Sequence, residues 1–125
     1  MILLADAHVL LWALAAPEEM TPEARSALST PQNEVLVSAA TIWEIAIKRA
    51  RGRLRAPATL LPGIEQLGFI VVPVTGGDAE RAASLPTHHR DPFDRMVIAQ
   101  AIRLDAVVVS RDRDFASYDV PLLRA

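Results

Sequence analysis

The sequence predicts a three-layer α/β/α domain with a mostly parallel central sheet of four to five short strands. Apolar segments of about five residues alternate with longer segments in which apolar residues recur at helical spacing. The short segments are apolar throughout, which is typical of parallel strands covered by helices on both faces. The chain has 125 residues, 51% of them hydrophobic, so we expect one domain over residues 1–125.

The predicted strands are short and end at polar or turn-forming residues. The first ends at Asp6, and the fourth is a fully apolar run that ends at Ser110. Pro73 lies in the third segment and predicts an edge strand or the end of a strand, because proline has no N–H to donate. The predicted strands cover residues 2–6, 34–38, 69–74 and 106–110, with a weak last strand over 121–123.

The predicted helices begin and end at recognisable residues. Thr21 followed by Pro22 is a strong start signal, and Gly52 ends the third helix. Pro62 and Gly63 predict a break within the fourth helix. The predicted helices cover residues 8–16, 21–29, 41–51, 58–67, 78–85 and 91–104.

Composition excludes several classes of protein. The absence of cysteine excludes a disulfide scaffold and a cysteine-type zinc site, and it suits a reducing cytosol. The first 16 residues are apolar but carry no Lys or Arg and are interrupted by Asp6 and His8, so we reject a signal peptide. The sequence contains no run of 18 apolar residues, so it predicts no membrane span. The net charge of −2 lacks the overall basic excess of many nucleic-acid binders.

Four acids are predicted to meet at one edge of the sheet. Asp6 ends the first strand, and Asp112 follows the fourth. Glu44 and Asp94 lie in the predicted first turns of two helices. Ligands of parallel α/β sheets bind at the carboxyl ends of the strands, where the strand order reverses. These acids are therefore expected to share one ligand-binding edge although they are far apart in sequence.

Each acid, taken singly, could instead cap a helix, because acids are favoured near helix N-termini. Asp6 and Asp112 each precede a predicted helix or turn. A cap would often accept Ser or Asn as well, whereas all four edge positions carry carboxylates, and this conjunction favours a shared site. The pairs with capping-box spacing are Thr41 with Glu44 and Asp91 with Asp94.

The residue types at this edge predict a Mg²⁺ or Mn²⁺ site of one or two ions. Clustered carboxylates repel one another unless a cation compensates them. Oxygen ligands without cysteine or a histidine cluster favour these ions over zinc. Such ions polarise phosphodiesters and activate water, so phosphodiester hydrolysis is the natural use. Predicted contacts to a nucleic-acid backbone are Lys48, Arg49, Arg51, Arg53 and Arg55 in the basic segment, and Arg95. The basic segment could equally be an exposed, solvated helix end.

Four stretches together resemble the PIN-domain family, in particular toxins of the VapC type from bacterial toxin–antitoxin pairs. They are LLADAHVLLW, SAATIWEIAIKRARGRL, HHRDPFDRMVIAQA and VVVSRDRDFASYDV, and they run from Leu3 to Val120 in the order and spacing of the family. The resemblance implies a PIN fold and a cytoplasmic Mg²⁺- or Mn²⁺-dependent endoribonuclease. It also implies a homodimer inhibited by a cognate antitoxin, in a heterotetramer or a larger assembly, with RNA as the substrate and no membrane partner.

The resemblance assigns roles to individual residues. The acidic quartet of the family corresponds to Asp6, Glu44, Asp94 and Asp112, with Asp6 and Asp94 expected to hold the main ion. The chain departs from the family at Ala7, where a hydroxyl residue is usual, so one polar contact near the ion is missing. Asp114 competes with Asp112 for the fourth position, and the spacing from Ser110 favours Asp112. Residues expected to support the site are Asp91, Ser110 and His8.

Several other polar and aromatic residues have two interpretations. His88 and His89 lie in a polar segment and are expected to be exposed. Trp12 and Trp43 could stack on bases, but their apolar helical stripes favour core or dimer packing. Arg95 and Arg111 flank predicted ligands, and each could contact phosphate or pair with an acid.

Two other functions fit parts of the pattern. A catalytically silent PIN-fold binding module would share the fold, although an intact set of acids argues against it. A receiver-like phospho-acceptor domain would have an acidic doublet after the first strand and a lysine after the last. Here Asp6 stands alone, and the one lysine is Lys48.

Overall fold

Five parallel strands form one central sheet in the computed structural model, which describes residues 1–125. The strands are β1 (Ile2–Ala5), β2 (Glu34–Ser38), β3 (Ile70–Val72), β4 (Val107–Ser110) and β5 (Leu122–Arg124). The helices are α1 (Ala7–Ala15), α2 (Pro22–Ser29), α3 (Ala39–Ala50), α4 (Leu61–Gln66), α5 (Gly76–Ser84) and α6 (Pro92–Leu104). Short 3-10 helices cover Pro17–Glu19 and Arg113–Ser117. The predicted α/β fold is confirmed.

The strand order is β3-β2-β1-β4-β5, and every pairing is parallel. From β1 the chain builds β2 and β3 on one side and then crosses to build β4 and β5 on the other. The order therefore reverses between β1 and β4, which is where open parallel sheets bind ligands. β3 lies at an edge of the sheet, as Pro73 indicated.

Helices cover both faces of the sheet, so the core has two halves. Successive side chains of a strand point to opposite faces. Leu3 packs on one face with apolar residues of α1, α2 and α4, and Leu4 packs on the other with apolar residues of α6. Both leucines are completely buried. This burial explains why the strand segments are apolar at every position rather than at alternate ones.

The third helix begins earlier than its predicted start. The Ser38 hydroxyl, at the end of β2, accepts a hydrogen bond from the Ala40 N–H (3.0 Å) and caps α3, which begins at Ala39. Serine is a favoured N-cap, and alanine is the best helix former, so the helix starts without a loop. Glu44 consequently lies in the second turn, and the predicted capping box with Thr41 is wrong.

The predicted break in the fourth helix is also wrong, because Pro62 and Gly63 lie within the first turn of α4. A proline is tolerated there because the N–H groups of a first turn have no partner within the helix. A Cβ on Gly63 would lie 2.8 Å from Leu14 Cδ2 of α1, so the glycine permits a close approach of these two helices.

None of the helices combines the length and the apolar character needed to span a lipid bilayer.

Candidate active site

A cleft of about 250 Å³ lies at the carboxyl edge of the sheet, beside the point where the strand order reverses. All four acids of the predicted quartet line it, together with a fifth acid. The cleft is lined by Asp6, Ala7, His8, Glu44, Lys48, Asp91, Asp94, Asp112 and Phe115. Acids from β1, α3, α6 and the segment after β4 thus meet in one place, as the parallel topology predicts.

Asp6 both caps a helix and lines the cleft. Its Oδ1 accepts a hydrogen bond from the Val9 N–H (3.0 Å), which caps α1, and its Oδ2 accepts from the Ser110 hydroxyl. The residue is 8% exposed. Burial raises the pKa of Asp6 above its ordinary value, against hydrogen bonds from Ser110 and Val9 that lower it. The two interpretations of this acid are therefore compatible, and Ser110, which was expected to support the site, contacts this carboxylate.

Glu44 is buried beside the one lysine of the chain. Its Oε2 accepts a hydrogen bond from Lys48 Nζ at 2.7 Å, one turn further along α3. That bond raises the pKa of Lys48, with smaller contributions from the charges of Glu44, Asp91 and Asp94. Lys48 was predicted as part of an exposed basic segment, but its side chain reaches into the cleft. It is the one basic residue other than His8 among the lining residues.

Asp91 and Asp94 divide the roles that a capping box would combine. Asp91 caps α6, since its Oδ1 accepts from the N–H of Phe93 (2.7 Å) and more distantly from that of Asp94 (3.4 Å). The carboxylate of Asp94 makes no return bond to Asp91 and accepts no hydrogen bond within the chain. Asp94 is therefore not a helix cap.

The electrostatic environment of Asp94 is unfavourable for its charge. Burial, followed by the neighbouring charge of Asp91, raises the pKa of Asp94 to about 7; Glu44 and Asp6 add to this, while His89 acts in the opposite direction. The carboxyl group thus needs a compensating cation to be fully charged near neutral pH.

Asp112 caps the 3-10 helix after β4 and also lines the cleft. Its Oδ1 accepts from the Asp114 N–H (2.9 Å), and its own N–H donates to Ser110 Oγ (3.0 Å). Burial acts to raise the pKa of Asp112, but hydrogen bonds from the Asp114 N–H and from His89 lower it overall. Asp114 is exposed and does not line the cleft, whereas Asp112 does.

His89 is a functional candidate that the sequence did not reveal. It was expected to be exposed together with His88, but only His88 is; His89 is 8% exposed. Its Nε2 lies 2.9 Å from Asp112 Oδ2, and its backbone N–H donates to the Tyr118 hydroxyl at 2.9 Å. Tyr118 is 29 residues away in sequence, so no local pattern could have indicated the burial.

The predicted RNA-contacting arginines fall into two groups. Arg49, Arg51, Arg53 and Arg55 are exposed at the end of α3 and beyond it. Arg95, in contrast, donates all five of its guanidinium N–H groups within the chain. The acceptors are the backbone carbonyls of Ala82, Ala83, Leu85, Pro86 and His89. This geometry argues against a contact between Arg95 and RNA, because the side chain instead holds together the segment that joins α5 to α6.

The two tryptophans and His8 differ in their burial. Trp43 is 64% exposed and meets Phe93 edge to face, with 5.5 Å between ring centroids. It therefore does not pack in the core of the single chain, and packing in a dimer or stacking on a base stays a prediction. Trp12 is half-buried as expected, with the Arg111 guanidinium 4.2 Å from the ring centroid. His8 is exposed, lines the cleft and lies 5.8 Å from Trp12, but it makes no hydrogen bond to Asp6.

The donor set of the cleft fits a hard divalent cation. Every acid in it offers carboxylate oxygens, and the chain has no cysteine. A cation would also relieve the repulsion that raises the pKa of Asp94. At the edge of the cleft, potential ligand atoms of His89, Asp112 and Asp114 lie within 4.8 Å of one another.

Comparison with known proteins gives consistent results. A family model described as the PIN domain matches residues 3–121. The chain is 31% identical over 121 residues to ribonuclease VapC22 of Mycobacterium tuberculosis (strain ATCC 25618 / H37Rv), covering 94% of this chain and 92% of that protein.

Solved structures share the fold at lower sequence identity. VapBC2 from Rickettsia felis, bound to a DNA fragment from its promoter, aligns with a TM-score of 0.72 and 13% identity, covering 99% of this chain and 98% of the other. VapBC-5 from Mycobacterium tuberculosis, a member of the VapBC family of toxin–antitoxin systems, aligns with a TM-score of 0.63 and 21% identity, with the same coverage.

Proposed function

Because the chain belongs to the PIN domain family, we propose that it is a metal-dependent endoribonuclease and the toxin of a toxin–antitoxin pair. The observation that carries the proposal is the cleft in which five carboxylates meet while one of them, Asp94, has no hydrogen bond within the chain. The name of the 31% identical relative supports ribonuclease activity. We further propose that residues 1–125 form a single PIN domain, since the family match covers nearly all of them.

We assign the main ligands of a Mg²⁺ or Mn²⁺ ion to Asp6 and Asp94, with Glu44 and Asp112 completing the cleft. One or two such ions would supply Lewis acidity toward the scissile phosphate and the attacking water. Asp6 is suited to a fixed position, because the Val9 N–H and the Ser110 hydroxyl hold both of its oxygens. Asp94 contributes an oxygen pair that no group in the chain already uses.

The other polar residues of the cleft orient these acids or meet the substrate. Asp91 fixes the first turn of α6 and so the direction of Asp94. His8 is exposed at the mouth of the cleft, where it can contact a bound RNA. The resemblance implies a hydroxyl residue where this chain has Ala7, so we expect weaker metal binding rather than its loss.

We propose that the exposed arginines after α3 carry the RNA backbone toward the cleft. Replacing Arg51, Arg53 and Arg55 together by Gln should raise KM for RNA at moderate salt and flatten the dependence of log KM on log salt by about two units or more. The value of kcat should change little, because none of the three lines the cleft. If the triple variant kept the salt dependence of the wild type, these three arginines would not contact the RNA backbone.

The direct test of the function is RNA cleavage by the purified protein. We expect cleavage with Mn²⁺ or Mg²⁺ and complete inhibition by a chelator. We expect products with a 5′-phosphate and a 3′-hydroxyl, because water would attack the phosphorus in line and the 3′ oxygen would leave with a proton. A chelator-resistant activity would contradict the assignment of the cleft to a metal ion.

A catalytically silent PIN module is the remaining alternative. The preserved acidic cleft argues against it. A silent module without a metal site predicts no rise in thermal stability with Mn²⁺, and RNA cleavage by the wild-type protein that is lost in Asp94→Asn would exclude a silent module of any kind. The receiver-like alternative is wrong for this chain. Receiver domains have the strand order 2-1-3-4-5, whereas β3 here lies outside β2 at the edge of the sheet.

We propose a cognate antitoxin as the protein partner, consistent with the VapBC names of the structural relatives. The toxin is expected to form a homodimer in the cytoplasm and a heterotetramer or larger complex with the antitoxin. Light scattering of the toxin alone, and of the toxin co-purified with the product of the neighbouring reading frame, tests both expectations.

A further inference from the structure

We propose that His89 is a positioning residue, which fixes the Asp112 carboxylate at the edge of the cleft while Tyr118 fixes the His89 ring. The inference rests on the proposed function for its catalytic consequence. Its structural basis is a set of hydrogen bonds between the segment before α6 and the segment after β4. Neither His89 nor Tyr118 lines the cleft, so the effect on the reaction would pass through Asp112.

The His89 ring is held on two sides by aromatic side chains. Its centroid lies 4.8 Å from that of Phe115 and 5.5 Å from that of Tyr118, with interplanar angles of 37° and 20°. A polar ring buried in this way loses its water and needs partners at its nitrogens. Both nitrogens have one, so the burial does not leave the ring unsatisfied.

The partners determine the direction of the ring. A carboxylate can only accept, so Nε2–H donates to Asp112 Oδ2 at 2.9 Å. At the other end, Nδ1 lies 3.2 Å from the Tyr118 hydroxyl, which also accepts the backbone N–H of His89 at 2.9 Å. Because Nε2 carries the ring proton, Nδ1 is an acceptor and takes the one proton of the Tyr118 hydroxyl, for which the Pro86 carbonyl at 3.3 Å is the competing acceptor. Rotation of the ring would break the bonds at both ends.

Asp112 needs such support more than the deeper acids do. Its side chain is 41% exposed, whereas Asp6 and Glu44 are buried. The N–H of Asp114 engages Oδ1 and His89 engages Oδ2, so the carboxylate plane is held in one orientation. Each oxygen keeps a lone pair for an ion, and hydrogen-bonded carboxylates are common among metal ligands.

The contacts continue across the point where the strand order reverses. The Asp112 N–H donates to Ser110 Oγ, and the Ser110 hydroxyl donates to Asp6 Oδ2. A connected path therefore runs from Tyr118 through His89, Asp112 and Ser110 to Asp6. Removing the His89 donor should free the exposed end of this path and leave the end at Asp6 intact.

The test compares variants that keep or remove one donor. His89→Phe keeps an aromatic ring but has no N–H, and His89→Gln keeps an N–H that can reach Asp112. His89→Gln and His89→Asn form a second pair, because both side chains are amides but that of Asn is too short to reach Asp112. We expect Phe and Asn to raise the Mn²⁺ dissociation constant about tenfold or more and to lower kcat for RNA, while Gln stays within about threefold of wild type.

Mn²⁺ binding is measured by electron paramagnetic resonance of the free ion, so this readout does not require cleavage. Thermal unfolding in chelator identifies any variant that is simply misfolded. Wild-type Mn²⁺ affinity in folded His89→Phe and His89→Asn would overturn the proposal, as would an equal loss in His89→Gln. If wild type binds Mn²⁺ without cleaving RNA, and His89→Phe still weakens binding, the proposed function fails while the positioning role stands.

Discussion

Asp78 and Asp94 occupy the same position in successive helices and have opposite environments. Each is the third residue of its helix, Asp78 in α5 and Asp94 in α6. Asp78 is 1% exposed and forms a complete capping box with Thr75, whose N–H donates to its Oδ2 at 3.0 Å. Arg103 donates to both oxygens, at 2.7 and 3.0 Å. Asp94 has neither a capping bond nor an arginine.

The two pKa values express this difference. Burial acts to raise the pKa of Asp78, but hydrogen bonds from Arg103 and Thr75 lower it to about 2. For Asp94, burial and the charge of Asp91 raise the pKa to about 7. Helical position therefore does not distinguish a structural aspartate from a functional one. The distinction lies in whether the chain itself supplies the donors and the positive charge, and the cleft leaves that role to a bound ion.

The largest expected effect is on cleavage by Asp94→Asn. The substitution keeps the shape of the side chain and removes its charge, so RNA cleavage should fall by about 10³-fold or more. The protein should remain folded, because the Asp91 cap of α6 does not involve the Asp94 side chain. Asp119→Asn, at an exposed aspartate outside the cleft, is the matched control and should cleave normally. If Asp94→Asn were unfolded, the Asp94 side chain would be needed for folding, and its role would be structural.

Asp78→Asn should show the reverse pattern. The substitution weakens the charge-assisted bonds from Arg103 and the capping box, and we expect a loss of about 2–3 kcal/mol in the free energy of unfolding. For a domain of this size, Tm should fall by about 6–12 °C. Cleavage per folded molecule should be unchanged below the transition. Scanning calorimetry and cleavage rates on the same preparation measure both, and a normal Tm would mean that the ion pair with Arg103 contributes little.

Asp94 and Asp78 should make the stability of the protein depend on pH in opposite directions. Asp94 has a folded-state pKa of about 7, above its unfolded value of about 3.9, so the protein loses stability as pH rises from about 4 to about 7. In chelator, Asp94→Asn should therefore match wild type in Tm near pH 4 and exceed it by a few degrees at pH 8. For Asp78, with a lowered pKa, stability is present above about pH 4 and is lost as pH falls toward 2. Parallel Tm curves for wild type and Asp94→Asn would contradict the raised pKa.

The smallest expected effect concerns Lys48, the one lysine of the chain and a lining residue of the cleft. Lys48 compensates the charge of Asp94 less directly than Arg103 compensates that of Asp78. Its hydrogen bond goes to Glu44, and it interacts with Asp94 by charge alone. Lys48→Met should tighten Mn²⁺ binding by about threefold, because a repelling positive charge is removed. Lys48→Arg retains the charge and should bind Mn²⁺ as wild type does. Weaker Mn²⁺ binding by Lys48→Met would mean that Lys48 chiefly holds Glu44 in position.

Most of the fold could be predicted because its signals are local. β2 has the predicted bounds, and the edge position of β3 follows from Pro73. The start of α3 was missed because Ser38 ends a strand and caps a helix at once. The start of α6 was placed within one residue, because the Asp-Pro pair marks a helix N-terminus regardless of what surrounds it.

In the candidate site, too, the features that follow from topology could be predicted, and those that depend on contacts between distant segments could not. Parallel topology alone predicts that Asp6 and Asp112 approach each other, because both follow strands at the point where the order reverses. The burial of His89 and the full use of the Arg95 donors depend on partners in other segments, so no sequence spacing indicates them. The local pattern also could not decide between the two interpretations of Asp94, because Asp78 has the same helical position and a structural role.

Because Asp6 both caps α1 and lines the cleft, an ion bound in the cleft should affect the first turn of α1. Its Oδ1 is the acceptor for the Val9 amide, while its Oδ2 meets the Ser110 hydroxyl at the cleft. Any ion that draws electron density from this carboxylate also weakens the acceptor at the helix start. In ¹⁵N-labelled protein, the ¹⁵N–¹H resonance of Val9 should accordingly move during a Mg²⁺ titration, which would report occupancy of the ion site without any substrate.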